Sequence, residues 1–235
     1  PVRTCLGIGI KVDVNGYIYV VGTQARPQGQ FDSYLLKLNN NGDTLWSRTY
    51  PGYGTGNNSL WGPVVSSNGN GIYYTTSIHA AIGGGYDIAT LKYNATGALQ
   101  WDKIYGGGTS GGLNLPAGIK LDRYENVYVC GTGFYQTTGN DFITLKYLPG
   151  GTLQWTARYT GVITNGGDGA SDLFIDTSLN VYVTGRSRKI INSNNDAVTI
   201  KYNQPLGISN NNELPNDFNL LQNYPNPFNN TTVIK

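Results

Sequence analysis

A spacing that returns four times governs what this chain can fold into. Asp32, Asp87, Asp141 and Asp196 follow one another at intervals of 55, 54 and 55 residues, and Lys37, Lys92, Lys146 and Lys201 keep the same intervals. Trp46, Trp101 and Trp155 repeat at 55 and 54, each followed four residues later by a tyrosine: Tyr50, Tyr105 and Tyr159. Tyr19, Tyr74, Tyr128 and Tyr182 align at 55, 54 and 54, as do Asp13, Asn68, Asp122 and Asp176 at 55, 54 and 54. A fixed period of this size marks stacked supersecondary units, each burying its neighbour's apolar face.

Each unit reads as four short strands divided by turn signals. In the third, these are residues 118–122, 126–132, 141–147 and 152–159, separated by RYE, a Gly-rich loop and LPGG. The second strand is apolar on both sides, with Ile18, Tyr73, Val127 and Val181 alternating with Tyr19, Tyr74, Tyr128 and Tyr182. A strand buried on two faces needs a sheet on each side of it. The prediction is all-β: four-stranded antiparallel meanders packed as propeller blades over 9–50, 64–105, 118–159 and 172–203, within a repeat region 1–203.

The repeated polar residues receive structural roles. Asp32, Asp87, Asp141 and Asp196 stand five positions before the lysines, on the opposite strand face, and are expected to accept backbone N–H groups at the loop-to-strand corner. Lys37, Lys92, Lys146 and Lys201 are expected to lay their methylenes between sheets and carry their ammonium groups to the rim. Trp46, Trp101 and Trp155 supply apolar area to the fourth strand. The fourth unit has no Trp near 210, where ISNNNELP stands, so it reads as three strands of a blade. With a chain that opens in mid-pattern, this predicts a fragment of a larger propeller.

Composition excludes several functions. Only 13% of residues are charged, the net charge is +2 and no basic run occurs, so no nucleic-acid face is expected. No stretch approaches the roughly 18 apolar residues of a membrane span. Cys5 and Cys130 are far apart and form no C-x-x-C; Cys130, in a strand slot aligned with Val21, Thr76 and Thr184, is expected to be a small buried thiol.

The unit D-x-x-x-N-V-Y-V-x-G-T … D-F-I-T-L-K-Y-x-x-x-G-x-x-x-W-x-x-x-Y resembles the SBBP-type β-propeller repeats of secreted bacterial proteins over most of residues 9–203. That resemblance implies a propeller and an extracellular setting, and brings no active site. In the second unit Ser77 aligns with Gly22, Gly131 and Gly185. Gly42, Gly97 and Gly151, each four residues before a Trp, are similar to the outer-strand turns of quinoprotein propellers, but no group to hold a quinone is apparent.

Chemistry is sparse. His79 stands alone in a loop between strands, with no second His or thiol to complete a zinc site. The repeated Asp residues recur singly, whereas calcium loops cluster carboxylates. The glycine runs at 83–85 and 106–112 precede neither Lys-Ser/Thr nor a helix, so no phosphate loop is expected. No cofactor is implied. Tyr53, Trp61, Phe134 and Tyr135 lie outside the repeated core slots, in segments read as loops, and are the candidate contacts to an extracellular glycan or protein.

Residues 204–212 read as a polar linker, and 213–235 differ in kind. Leu220, Gln222, Asn223, Tyr224, Pro225, Asn226, Pro227, Phe228, Asn229, Thr231 and Thr232 form an L-x-Q-N-Y-P-N-P-F-N-x-T-T run. It closely resembles the opening of the C-terminal sorting domain read by the type IX secretion system of Gram-negative bacteria. The resemblance implies export to the cell surface or medium, with the secretion machinery as partner and the tail itself extended. The expected function is a noncatalytic scaffold or adhesion module; the alternative is an accessory propeller of a secreted polysaccharide-active or other hydrolytic enzyme whose catalytic part lies elsewhere.

Overall fold

The computed structural model describes residues 5–26, 31–51, 59–66, 68–80, 84–106, 111–162, 167–188, 195–203 and 218–221, with 59–63 and 218–221 as backbone only. Among these residues, sixteen strands form four four-stranded antiparallel sheets, each in simple sequence order. The first sheet holds β1 (Cys5–Val12), β2 (Ile18–Ala25), β3 (Phe31–Leu38) and β4 (Thr44–Tyr50). The second holds β5 (Ser59–Val65), β6 (Gly71–His79), β7 (Tyr86–Asn94) and β8 (Leu99–Tyr105). The third comprises β9 (Leu115–Leu121), β10 (Val127–Tyr135), β11 (Gly139–Tyr147) and β12 (Leu153–Tyr159), and the fourth β13 (Gly169–Ile175), β14 (Val181–Arg188), β15 (Asn195–Tyr202) and β16 (Phe218–Leu221).

The sheets pack face to face as propeller blades. One apolar cluster joins the first sheet to the second, another the second to the third, and a third the third to the fourth. The first strands β1, β5, β9 and β13 are neighbours in that order, so the sheets fan outward from them. As the alternation of apolar side chains requires, β6 is buried on both faces over almost its whole length and β10 nearly so.

Three expectations are revised. The fourth sheet has a fourth strand: β16 pairs with β15, Ile200 opposite Leu220 and Lys201 opposite Asn219, within the segment that sequence alone reads as the start of the sorting run. Second, the second unit is out of step by one residue along β6. Lys92 faces Tyr73, as Lys37 faces Tyr19, Lys146 faces Tyr128 and Lys201 faces Tyr182, so Tyr73 rather than Tyr74 is the equivalent tyrosine. By the same register Thr75 matches Cys130, and Thr76, not Ser77, matches Gly131.

The slip arises in the β6–β7 connection, where Tyr73 and Lys92 stand 19 residues apart against 18 from Tyr19 to Lys37 and from Tyr128 to Lys146; the turn between the first two strands differs as well. In the first, third and fourth units an Asp caps the turn between the first two strands: Asp122 Oδ1 accepts the backbone N–H of Tyr124 at 2.8 Å and of Asn126 at 3.0 Å, and Asp13 and Asp176 do the same. In the second unit the turn is one residue longer and Ser66 takes the cap, its Oγ accepting Gly71 N–H at 2.8 Å. Asp122 also holds the Tyr128 hydroxyl at 3.1 Å, the partner that lets a buried phenol give up water. Asp122→Ala is therefore expected to cost about 2 kcal/mol, because the turn donors and the phenol all lose their acceptor; the midpoint of urea denaturation measures it. One position along these turns, Gly16 and Gly69 adopt positive φ, but the third and fourth units place Glu125 and Leu179 there at φ 63° and 68°, a cost of about 1 kcal/mol each.

The third revision concerns the repeated Asp residues at the start of the third strands. Among the described residues Asp32, Asp87 and Asp141 take side-chain donors, not the expected backbone N–H groups. Asp32 pairs with Arg26, Asp87 accepts Asn114 Nδ2 at 3.5 Å, and Asp141 accepts Thr138 Oγ1 at 2.6 Å with Arg158 Nε at 3.5 Å. The reason is that the next sheet and the hairpin loops bring polar side chains to that corner, which no single-strand pattern reveals.

Candidate functional site at the two ends of the sheets

The meander puts the turns between strands one and two, and between three and four, at one end of every sheet. The loops between strands two and three, with the sheet-to-sheet connections, lie at the other. Each end collects one set of the repeated polar residues.

At the turn end the repeated Lys and Trp act together. Lys37 lies directly opposite Trp46 across β3 and β4, as Lys92 lies opposite Trp101 across β7 and β8. Lys37 Nζ and Trp46 Nε1 both donate to the carbonyl of Ala95 in the next sheet, at 3.3 and 3.2 Å. Lys92 Nζ and Trp101 Nε1 both donate to the carbonyl of Pro149, at 3.1 and 3.0 Å. Each Lys also stands over a tyrosine ring of its own sheet, 5.3 Å from the Tyr19 centroid and 5.1, 5.2 and 5.5 Å from Tyr73, Tyr128 and Tyr182. The ammonium groups therefore do not run out to the rim as expected. Lys37 is only 7% exposed, and burial pulls the pKa of Lys37 and Lys146 down, opposed by Asp13 and Asp122 respectively. Arg48 reinforces the first seam, its Nε donating to Gly97 O at 2.7 Å.

Beside these seams, Leu121, Ile175 and Leu179 floor a cleft of about 220 Å³ between the third and fourth sheets, with Asp122, Arg123, Asp176 and Thr177 around it. Its two carboxylates are the turn caps already described. The bonds from Asn180, Ser178 and Tyr182 hold the Asp176 carboxyl below its ordinary value. A lowered carboxyl stabilises the fold above its unfolded pKa, and that contribution is lost as pH falls through its folded value.

At the loop end, side chains of three sheets meet. The Tyr105 and Tyr135 hydroxyls are 2.9 Å apart, the Arg158 guanidinium lies 4.3 Å from the Tyr135 ring centre, and Arg158 reaches Asp141. Asn114 and Asp168, 54 residues apart, perform one task in successive sheets. Their backbone N–H groups donate to Tyr86 O and Asn140 O of the sheet before, at 2.8 and 2.9 Å. Their side chains accept the N–H of Phe134 and of Arg188 within their own sheets, at 3.1 and 3.2 Å. Sequence reading passed over both residues, because the corresponding position of the first unit, one residue ahead of Leu6, is Cys5. Their 54-residue spacing was the available signal.

Burial pushes the Asp141 carboxyl above the usual range, opposed by Thr138, Thr160 and Arg158, with Asp168 adding to the rise. A lifted carboxyl suits a general acid, yet Asp141 has no exposed surface to offer a substrate. Among the described residues no three His, Cys, Asp or Glu side chains gather as a metal site. His79 sits at the end of β6 with its ring edge-on to Tyr86, 5.8 Å away. Cys130 is wholly buried, as a small core thiol should be, while Cys5 lies exposed on the first sheet. Phe134 and Tyr135, read from sequence as loop residues, are half-buried at the end of β10 and tied into these seams; Trp61 lies on β5 with its side chain outside the description, and Tyr53 is outside the described residues. Of the sorting run, Leu220 lies on β16 as backbone, and Gln222 to Thr232 lie outside the described residues. Among the described residues no helix is long and apolar enough to cross a membrane.

No family profile and no curated protein matches the chain. Solved structures do. A protein of unknown function from Bacteroides caccae is 11% identical with a TM-score of 0.50, the match covering 93% of this chain and 61% of that one. A GH43 β-xylosidase/α-arabinofuranosidase from a compost microbial metagenome is 11% identical with a TM-score of 0.46, covering 88% and 76% of the two chains. An endo-arabinase from Bacteroides thetaiotaomicron is 14% identical with a TM-score of 0.41, covering 86% and 74%. The chain thus spans about 61% of the length of the first of these, and at such identities the likeness is one of fold alone.

Proposed function

We propose that this chain is a noncatalytic β-propeller module, a scaffold or adhesion unit carried outside the cell by a C-terminal label that the type IX secretion machinery reads. One observation carries the reading: the recurring Lys and Trp are spent on sheet-to-sheet bonds. Lys37 with Trp46 and Lys92 with Trp101 close on carbonyls of the following sheet, and the backbone N–H groups of Asn114 and Asp168 tie the loop end to the sheet before. Such a repeat preserves a rigid frame and leaves the loops free to differ, as display scaffolds require. The loop end, with Tyr135, Phe134 and the exposed Gln136 and Thr137 of the β10–β11 turn, is the surface offered to an extracellular glycan or protein.

Export supplies the test. Because β16 completes the fourth sheet, the deletion should begin after it and remove residues 222–235. In a Gram-negative host with type IX machinery, the full chain is expected at the surface or in the medium. The deleted chain should stay in the periplasm, still folded by circular dichroism. Undiminished export of the folded deletion would overturn the sorting role.

A further inference from the structure

The first sheet presents a complete docking socket of the kind that receives its neighbours elsewhere in the molecule. In each later sheet one face is covered by the sheet before it, and the same positions on the first sheet are open. Ile10, opposite Val20, corresponds to Ile119 opposite Val129 and to Leu173 opposite Val183. Ile10 is 68% exposed, whereas Ile119 is 5% and Leu173 2% exposed. Leu36 corresponds to Leu91, Leu145 and Ile200, which are wholly buried while Leu36 is not. Ile8 and Val12 extend the open strip along β1.

The turn between strands three and four carries the matching polar half. Asn40 stands where Ala95 and Pro149 offer their carbonyls to a Lys and a Trp of the preceding sheet. Gly97 and Gly151 lie against those tryptophans: a Cβ built on either would be 3.0 Å from Trp46 or 2.9 Å from Trp101. Gly42, the corresponding glycine, has nothing within 4 Å of that point.

We infer that this face docks one further blade of the same repeat in the same polypeptide, ahead of β1, which brings a buried Lys and Trp in register to the Asn40 carbonyl and to Gly42. The fourth sheet of this chain, or of a second copy, is a poor occupant. Opposite Lys201 it carries Asn219, where the clamping sheets carry Trp, and Thr184 and Thr199 stand on the same side. The occupant's chemistry is therefore specified: an aromatic N–H and an ammonium sharing one acceptor, beside an apolar face to cover Ile10 and Leu36.

A fusion tests the inference. A copy of the third unit, residues 111–164, is placed ahead of Pro1, and thermal unfolding is compared with that of the chain itself. In the unfused chain, which should sediment as a monomer, Ile10→Glu is expected to move the melting temperature by no more than about 2 °C, because Ile10 faces water. In the fusion the same substitution should lower it by about 8 °C or more. Trp155→Asn within the added copy alone should return the fusion to the melting temperature of the unfused chain. Equal effects of Ile10→Glu in both chains, or an added unit that melts separately whatever its Trp, would overturn the inference. So would a dimer of the unfused chain that Ile10→Glu dissociates, since a second copy would then be the occupant.

Discussion

Gly131→Ala is expected to destabilise the protein by about 3 kcal/mol or more, near the upper end of what one added methyl can do. A Cβ at Gly131 would stand 2.1 Å from Leu115 O and 2.9 Å from Pro116 Cα. Both are backbone atoms of the adjoining strand, so no side-chain rotation relieves the clash. The cause is a bulge: between Cys130 and Gly131 the register against β9 shifts, and β9 swings its carbonyl inward. The first and fourth sheets repeat the device, with Gly22 facing Leu6 O and Gly185 facing Gly169 O, each 2.2 Å from the built Cβ. Where the second sheet places Thr76, the irregularity moves and widens to the stretch between Trp61 and Val64. Urea denaturation of Gly131→Ala measures the loss, and a change below about 1 kcal/mol would mean that the strand yields.

Trp101→Ala is the second large effect, expected at about 3–5 kcal/mol. The indole lies 6.0 Å from Tyr73 and 6.2 Å from Tyr147, ring centre to ring centre, and so bridges the second and third sheets. Its truncation removes apolar area from the seam and one of two donors from Pro149 O. In an array whose units touch only their neighbours, stability is a sum of unit and interface terms. The loss should therefore split unfolding into two steps, with the first two sheets parting from the last two. Two probes would see it: tryptophan fluorescence and far-ultraviolet circular dichroism, coincident for the parent chain and separate for the variant.

The period, the four-strand unit and the buried second strand were legible because each repeats on a face set by strand alternation. What escaped did so for physical reasons. The step from Tyr74 to Tyr73 depends on one extra residue in the β6–β7 connection, which sequence spacing absorbs unseen because two adjacent tyrosines offer either alignment. β16 escaped because its residues follow a long polar stretch and carry no Trp; main-chain pairing to β15, rather than a side-chain signature, defines it. The Asp and Lys roles were misassigned because their partners belong to another strand or another sheet. Asp141 finds Arg158, Lys92 finds Pro149 and Asn114 finds Tyr86, and no pattern along a single strand contains such pairs.

The central claim is that the recurring Lys and Trp hold one sheet to the next by sharing a single acceptor. A double-mutant cycle on Lys92→Met and Trp101→Phe tests it most directly by equilibrium denaturation. With either residue changed, the other still satisfies the carbonyl of Pro149; with both changed, a half-buried carbonyl loses both of these donors. The double variant is therefore expected to lose about 1 kcal/mol more than the two single losses combined. Losses that simply add, or that fall short of adding, would contradict the shared clamp.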